Sequence, residues 1–275
     1  MLLSLIAAAL AAPVTLAVIG DYGTNEPGAD TVAALVASWK PDLIATTGDN
    51  NYPDGGADTI DANIGKRYHA FIGNYRGRYG AGAAENQFFP ALGNHDWRAP
   101  GAVPYLEYFT LPGNERYYEV HHGLVDLFVI DSDGHEPDGI TQYSTQAMWL
   151  RDRLQASKAP YRFVFMHHPP YSSGPHGSTK DLQWPYASWG ATVVLAGHDH
   201  TYERIVQDGI TYVVNGLGGE EAYPITRQPV EGSIVHYSKK NAALKIAIDE
   251  TAATFTLVTD GGTTIDQFTV PPSYR

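Results

Sequence analysis

The chain has 275 residues, with 18 Lys and Arg against 30 Asp and Glu, 11 His and no Cys. Its formal charge of −12 argues against a protein that binds duplex nucleic acid or an anionic membrane, because either partner requires a basic face. The absence of cysteine excludes disulfides, thiolate metal sites and a cysteine nucleophile. Any metal site must therefore use nitrogen and oxygen ligands.

The first twelve residues are uncharged, mostly apolar and end in small side chains. We expect residues 1–12 to be the remnant of a signal peptide, which would make the protein secreted or periplasmic, although the segment is short and has no Lys or Arg after Met1. The alternative is an artefact at the start of the sequence that lengthens the first strand. No later segment is long and apolar enough to span a membrane, and we expect residues 13–275 to form a single domain.

Strand patterns alternate with helical patterns along the first two thirds of the chain, and a run of short alternating strands follows. This order predicts mixed β-sheets with helices packed outside them. We predict helices over 29–39 and 144–154, where apolar residues recur at helical spacing, and Ser144 is placed to cap the second. The predicted strands and hairpins lie at 14–19, 42–47, 116–131, 161–166, 191–196, 253–258 and 264–270.

Polar residues of metal-ligand type follow four of the predicted strands. They are Asp21, Asp49, His167 and His198. In open α/β sheets, ligands bind at the carboxyl ends of the strands, so strands that are distant in sequence can deliver side chains to one rim. We therefore expect these four side chains to lie close together.

Two short motifs add further candidate ligands. Gly93-Asn94-His95-Asp96 offers an amide oxygen, an imidazole and a carboxylate in succession, and Gly197-His198-Asp199-His200 offers two imidazoles two residues apart. Each motif alone is weak evidence, since a single Asp or His after a strand is more often an ordinary turn residue. Their occurrence together, in this order and each at a strand end or turn, indicates a metal site.

These motifs resemble those of the calcineurin-like metallophosphoesterases. The family pattern of D-x-G, G-D, G-N-H-D/E, a hydrophobic strand ending in His, and G-H-x-H appears here at Asp21, Asp49, Asn94, His167 and His198. The resemblance covers residues 14 to about 219. It implies an α/β fold of the α+β kind, a four-layer α/β/β/α sandwich of two mixed β-sheets with flanking helices.

Tyr52 narrows the resemblance to the purple acid phosphatase type. Gly48-Asp49-Asn50-Asn51-Tyr52 has the G-D-x-x-Y form of those enzymes, in which the phenolate binds iron(III), and the segment 198–204 is also similar. The alternative is that Tyr52 is one of many tyrosines without this role, because the chain contains 18 of them.

The resemblance implies two metal ions bridged by Asp49. Iron(III) would be held by Asp21, Asp49, Tyr52 and His200, and a divalent ion (iron, zinc or manganese) by Asp49, Asn94, His167 and His198. Carboxylate and phenolate oxygens suit a hard trivalent ion, whereas imidazoles and an amide oxygen suit a divalent one. A metal-bound hydroxide would then attack a phosphate monoester.

Three further residues are predicted to act in catalysis. His95 is the candidate that protonates the leaving group, Asp96 is expected to orient the His95 ring, and His176 is expected to contact the phosphate. We interpret His168 as a structural residue before Pro169-Pro170. Glu203 and Arg204 are expected to form a structural ion pair.

The leading hypothesis is thus an acid phosphatase that acts on small phosphate monoesters and needs no nucleic acid or protein partner. A phosphodiesterase with two divalent ions, acting for example on cyclic nucleotides, is the first alternative. A binding protein of the same fold without catalytic activity is the second.

Overall fold

Two β-sheets contain all thirteen strands of the described residues, 12–275, in the computed structural model. Of the expected leader at 1–12, residues 1–11 lie outside this part of the chain. The strands are β1 (Val14–Ile19), β2 (Leu43–Thr46), β3 (Phe88–Pro90), β4 (Tyr118–His122), β5 (Val125–Val129), β6 (Tyr161–Phe165), β7 (Val193–Ala196), β8 (Tyr202–Gln207), β9 (Ile210–Asn215), β10 (Ser233–Tyr237), β11 (Ala242–Ile248), β12 (Ala253–Thr259) and β13 (Thr264–Val270).

The first sheet has the strand order β13-β12-β11-β1-β2-β3. Strands β1, β2 and β3 are parallel, whereas β1 pairs with β11 in the antiparallel sense, with Leu16 opposite Ile246. The second sheet has the order β10-β8-β9-β7-β6-β5-β4, and β5, β6, β7 and β9 are parallel within it. Both sheets are therefore mixed.

Short helices connect the strands on the outer faces. They are α1 (Pro27–Ser38), α2 (Lys66–Tyr68), α3 (Asn94–Trp97), α4 (Val103–Tyr108), α5 (Thr145–Ala156) and α6 (Tyr186–Trp189), with a π-helical turn at Asp61–Gly65 and 3₁₀ turns at His69–Phe71, Pro100–Ala102 and Lys180–Leu182. Ser144 caps α5 as predicted, because its Oγ accepts a hydrogen bond from the amide of Ala147 (3.2 Å). No helix within residues 12–275 is long and apolar enough to cross a bilayer.

Strand β6 shows how the layers pack. Successive side chains of a strand point to opposite faces of its sheet. Phe163 and Phe165 enter the core between the two sheets, where the Phe163 ring lies 5.4 Å from that of Phe255 in β12. Val164 and Met166 join the second core, in which the other face of the sheet packs against α5 and α6. With α1 packed against β11, the four-layer sandwich of the prediction is confirmed.

The predicted elements agree with the structure where a buried apolar run marks them. Strands β1 and β13 have the predicted bounds. The hairpin lies within the predicted range 116–131, with β4 at Tyr118–His122, β5 at Val125–Val129 and a positive φ at Gly123 in the turn. Strand β3, which has three residues and precedes the Gly93 motif, was not predicted.

Candidate metal centre

Five strands deliver the predicted ligands to one place. Asp21 follows β1, Asp49 follows β2 and the Asn94 motif follows β3, at the carboxyl ends of three parallel strands of the first sheet. His167 and His198 follow β6 and β7, which are parallel neighbours in the second sheet. The centre therefore lies where the carboxyl ends of the parallel strands in the two sheets meet.

Three of these residues adopt a left-handed backbone conformation. The φ angles are 55° at Asp21, 52° at Asp49 and 70° at His198. Positive φ is uncommon for residues other than glycine, and such strain concentrates at functional sites. In this protein the left-handed residue turns the chain sharply at the end of each strand, and its side chain consequently points into the centre.

The motif glycines are required by close contacts. Gly48 has a φ of 91°, and a Cβ atom there would lie 2.6 Å from Nδ1 of His167. A Cβ atom on Gly93 would lie 2.2 Å from the Asp49 carboxylate. Any other residue at these positions would displace a candidate ligand.

The first group of donors surrounds the Tyr52 hydroxyl. Its oxygen lies 2.8 Å from Oδ2 of Asp49, 3.3 Å from Oδ1 of Asp21 and 3.2 Å from Nε2 of His200. The Nε2 atom of His200 lies 3.4 Å from Oδ1 of Asp21. These four side chains are those assigned to iron(III) by the resemblance.

The second group is centred on His167. Its Nε2 atom lies 3.0 Å from Oδ1 of Asn94, 3.4 Å from Oδ1 of Asp49 and 3.2 Å from Nδ1 of His198. The two groups share Asp49, which presents one carboxylate oxygen to each.

These spacings fit metal binding. Donor atoms about 2.1 Å from an ion, in tetrahedral or octahedral geometry, lie about 3.0–3.4 Å from one another. Most of the contacts above fall in that range, and one of them brings two ring nitrogens together, Nδ1 of His198 and Nε2 of His167. The residues present thus suit two ions that share a carboxylate.

Backbone carbonyls fix the orientation of two imidazoles. Nδ1 of His167 lies 2.8 Å from the carbonyl of Thr47, and Nδ1 of His200 lies 2.9 Å from the carbonyl of Glu221. A histidine ligand usually donates its second ring N–H in this way, which sets the tautomer and frees Nε2 for the metal.

Without metal ions, burial and the neighbouring charges shift the pKa values of three candidate ligands. Burial opposes the charge on Asp49, but His167 and His95 beside it lower its pKa well below the usual range. Burial also opposes charge on His167, yet the carboxylates of Asp49 and Asp21 raise its pKa to about 10. For Tyr52, burial followed by the charges of Asp21 and Asp49 raises the pKa well above its usual value. Cations at the centre would favour the deprotonated form of all three groups, which reverses the direction of the pKa shift for His167 and Tyr52 but not for Asp49.

His95 lies at the edge of the centre, with 19% of its side chain exposed. Nδ1 of the ring lies 2.6 Å from the carbonyl of Pro53, and Nε2 lies 3.9 Å from Oδ2 of Asp49. The ring also contacts that of Tyr52, with 4.3 Å between centroids. His95 is therefore held in place with one nitrogen directed at the Asp49 carboxylate, which both groups of donors share.

The expectation that Asp96 orients the His95 ring is wrong. The Asp96 carboxylate is buried and accepts hydrogen bonds from the amides of Asn50 and Gly93 and from Nδ2 of Asn50 (2.8–3.2 Å). Because Asp96 lies at the start of α3, its side chain folds back onto the Gly93 amide, and the Pro53 carbonyl takes the role expected of it. Burial and the nearby Asp49 raise the pKa of Asp96 to about 7.

His176 lies against the second group. Its exposed ring stacks on that of His198, with 4.2 Å between centroids. Buried Asp199, between the two histidines of the last motif, accepts a hydrogen bond from the His176 amide (2.9 Å) and another from the Ser172 hydroxyl. The loop that carries His176 is thus anchored to the motif.

Two further aromatic residues lie at the centre, and neither was predicted to belong to it. His168, interpreted as structural, bonds to Ser132 (3.0 Å) and also packs on His198 with 4.4 Å between centroids. Burial and the neighbouring His167 lower its pKa to about 4. Tyr223 stacks on His200 at 4.0 Å and nearly parallel. No motif surrounds Tyr223, so the sequence held no signal for it.

The expected ion pair between Glu203 and Arg204 is absent from the described residues. Glu203 accepts hydrogen bonds from the Ser173 amide (2.7 Å) and hydroxyl (2.6 Å), whereas Arg204 pairs with Asp266 of β13 at 2.7 Å. Adjacent residues of a strand point to opposite faces, which separates the two side chains.

Comparison with known proteins decides the family. A family model described as calcineurin-like phosphoesterase matches residues 14–202, which include all the residues of the two donor groups. The chain is a calcineurin-like phosphoesterase.

Purple acid phosphatases are among the relatives of this phosphoesterase. It is 26% identical to purple acid phosphatase 17 of Arabidopsis thaliana, over 78% of this chain and 72% of the relative. It is 28% identical to tartrate-resistant acid phosphatase type 5 of Rattus norvegicus, over 73% of this chain and 71% of the relative. The structure of the purple acid phosphatase PPD1 from yellow lupin seeds superposes with a TM-score of 0.77 and 19% identity, over 96% of this chain and 55% of that one.

Proposed function

We propose that this calcineurin-like phosphoesterase hydrolyses phosphate monoesters with a dinuclear metal centre. One observation carries the proposal: Asp49 lies between two groups of donor atoms. Its Oδ2 is 2.8 Å from the Tyr52 hydroxyl in the first group, and its Oδ1 is 3.4 Å from Nε2 of His167 in the second. Because a carboxylate can offer one oxygen to each of two ions, this arrangement supports a pair of ions that would act together on a phosphate ester.

The donor chemistry supports iron(III) in the first group and a divalent ion in the second. The first group holds two carboxylates, a phenol and one imidazole, and the second holds two imidazoles, an amide oxygen and the shared carboxylate. When bound, such ions supply Lewis acidity to the phosphoryl group and a nucleophilic water.

The protein's own side chains would complete the reaction. Nδ1 of His95 donates a hydrogen bond to the Pro53 carbonyl, which leaves Nε2 facing the centre. In the doubly protonated ring, the Nε2 proton would pass to the leaving oxygen and leave a neutral imidazole that keeps its proton on Nδ1. We infer that His176 donates a hydrogen bond to a phosphoryl oxygen, because its ring is exposed and stacks on that of His198. We further propose export from the cytoplasm, on the strength of the apolar residues 1–12 alone; the N-terminus of protein recovered from the native host tests it.

The experiment compares the hydrolysis of p-nitrophenyl phosphate with that of bis(p-nitrophenyl) phosphate before and after treatment with a chelator. We expect the monoester to be preferred, and activity to be lost on metal removal and restored on reloading. A preference for the diester would favour the phosphodiesterase alternative. Metal-loaded protein without activity on either ester would favour a binding protein.

A further inference from the structure

His168 lies beside the second group of donors without belonging to it. Its ring packs against the rings of two candidate ligands, with 4.4 Å between centroids to His198 and 5.0 Å to His167. One ring nitrogen of each of these three residues lies within 4.8 Å of the other two. Residues 161–170 are buried except for His168, which is partly exposed. The exposed part of this segment therefore adjoins the second group.

The hydroxyl of Ser132 determines which nitrogen of His168 carries the proton. Its Oγ atom accepts hydrogen bonds from the amides of His167 (3.1 Å) and His168 (2.8 Å), which together occupy both lone pairs of the oxygen. The hydroxyl proton is then donated to Nδ1 of His168, which lies 3.0 Å away. Because Nδ1 accepts this bond, the proton of the neutral ring is on Nε2.

Nε2 of His168 is consequently a hydrogen-bond donor that is free to bind another group. No residue among 12–275 bonds to this atom, and solvent reaches it. A ring nitrogen that carries a proton cannot bind a metal ion, so this tautomer does not make His168 a further ligand. An N–H group beside a metal site can instead donate to an anion that is bound there.

We propose that His168 donates a hydrogen bond from Nε2 to a phosphoryl oxygen of a substrate bound at the second group. This inference rests on the proposed phosphatase function and adds a residue that contacts the phosphoryl group. His176, which is proposed to make a similar contact, also packs on the ring of His198. Donors that are already in place where negative charge develops on the phosphoryl oxygens stabilise the transition state.

Calorimetric titration of the metal-loaded protein with inorganic phosphate, a product of the proposed reaction, tests this contact. In His168→Asn the short amide takes the place of Nδ1, so it keeps the bond to Ser132 but removes the donor at Nε2. In His168→Gln the longer amide reaches the place of Nε2 and keeps that donor. We expect His168→Asn to weaken phosphate binding at least about tenfold, and His168→Gln to bind phosphate within about threefold of wild type.

His236→Asn is the matched control. His236 is exposed and lies on β10, which is at the edge of the second sheet and contributes no candidate ligand. Its replacement should leave the phosphate affinity unchanged. Elemental analysis of every variant should show the metal content of the wild type.

Unchanged phosphate affinity in the His168→Asn variant would overturn this inference and leave the phosphatase function intact. Weaker binding by His168→Gln than by His168→Asn would overturn it too, because His168 would then act only through Ser132. Loss of metal from His168→Asn would make His168 a support for the ligands and contradict the proposed contact. Wild-type protein that binds phosphate but hydrolyses no ester would instead overturn the phosphatase function alone. Wild-type protein that hydrolyses esters but does not bind phosphate would overturn the contact alone.

Discussion

The Tyr52 hydroxyl donates a hydrogen bond of 2.8 Å to Oδ2 of Asp49, the carboxylate shared by both groups of donors. Tyr52 follows Asp49 by three positions in sequence, and the left-handed conformation of Asp49 (φ 52°) brings the two side chains together. In the protein without metal, burial and then the charges of Asp21 and Asp49 raise the pKa of this phenol and so keep its proton in place. Conversion to a phenolate ligand therefore needs the charge of an ion at that position.

Replacing Tyr52 with Phe should bleach the protein. A phenolate bound to iron(III) produces a charge-transfer band in the visible spectrum, and Phe removes the oxygen while keeping the ring beside His95. Visible absorption and iron content measure the result. Tyr143→Phe, at a side chain that is 82% exposed, is the control and should keep the colour. An unchanged band in the Tyr52 variant would remove Tyr52 from the ligand set.

Replacing His95 with Ala should lower kcat for p-nitrophenyl phosphate by about a hundredfold or more, the usual scale for loss of a general acid. Metal content should not change, because the His95 ring is held by the Pro53 carbonyl and lies outside both donor groups. Elemental analysis separates the two effects, and His121→Ala, at an exposed histidine, is the control. Loss of metal in the His95 variant would make His95 a ligand.

Replacing Asp96 with Ala should lower the free energy of unfolding without changing the orientation of the His95 ring. The change leaves the amides of Asn50 and Gly93 and the Asn50 side chain without their buried acceptor. We expect a loss of about 3 kcal/mol, which corresponds to a fall in Tm of about 6–12 °C. Differential scanning calorimetry measures it. A variant with unchanged Tm but greatly reduced kcat would restore the catalytic role that the hydrogen bonds argue against.

Replacing Gly48 with Ala should deplete the metals, because its Cβ atom would lie 2.6 Å from the buried His167 ring. Gly209→Ala is a matched control, since Gly209 has a similar φ of 82° but nothing within 4 Å of the added carbon. The control should cost about 1 kcal/mol from backbone strain alone and keep its metals. Equal metal content in both variants would show that the contact with His167 is relieved without cost.

Metal uptake should release protons and should strengthen as the pH rises. Without metal, His167 carries a proton below a pKa of about 10, and Tyr52 keeps its proton to higher pH still. The ligands bind metal in the deprotonated form. Each proton that must be displaced therefore lowers the apparent metal affinity about tenfold for every unit by which the pH lies below the pKa of that ligand. Calorimetric titration in buffers of different ionisation enthalpy counts the protons. Affinity independent of pH between 5 and 9 would contradict these assignments.

The sequence predicted local features well because they depend on neighbouring residues. The apolar run of β1 and the polar residue that follows it, Asp21, need only the chain itself. The antiparallel pairing of β1 with β11 joins residues more than 200 positions apart, and no local pattern specifies it. The same reason explains why Tyr223 was missed: it reaches the centre through long-range packing and belongs to no motif.

The central claim is that Asp49 joins two metal ions that together hydrolyse phosphate monoesters. Elemental analysis of the purified protein, combined with the hydrolysis of p-nitrophenyl phosphate, tests it most directly. We predict two ions per chain in the active protein, and fewer than one, with loss of activity, in Asp49→Asn. Full activity in protein that holds one ion or none, or in Asp49→Asn, would contradict the account.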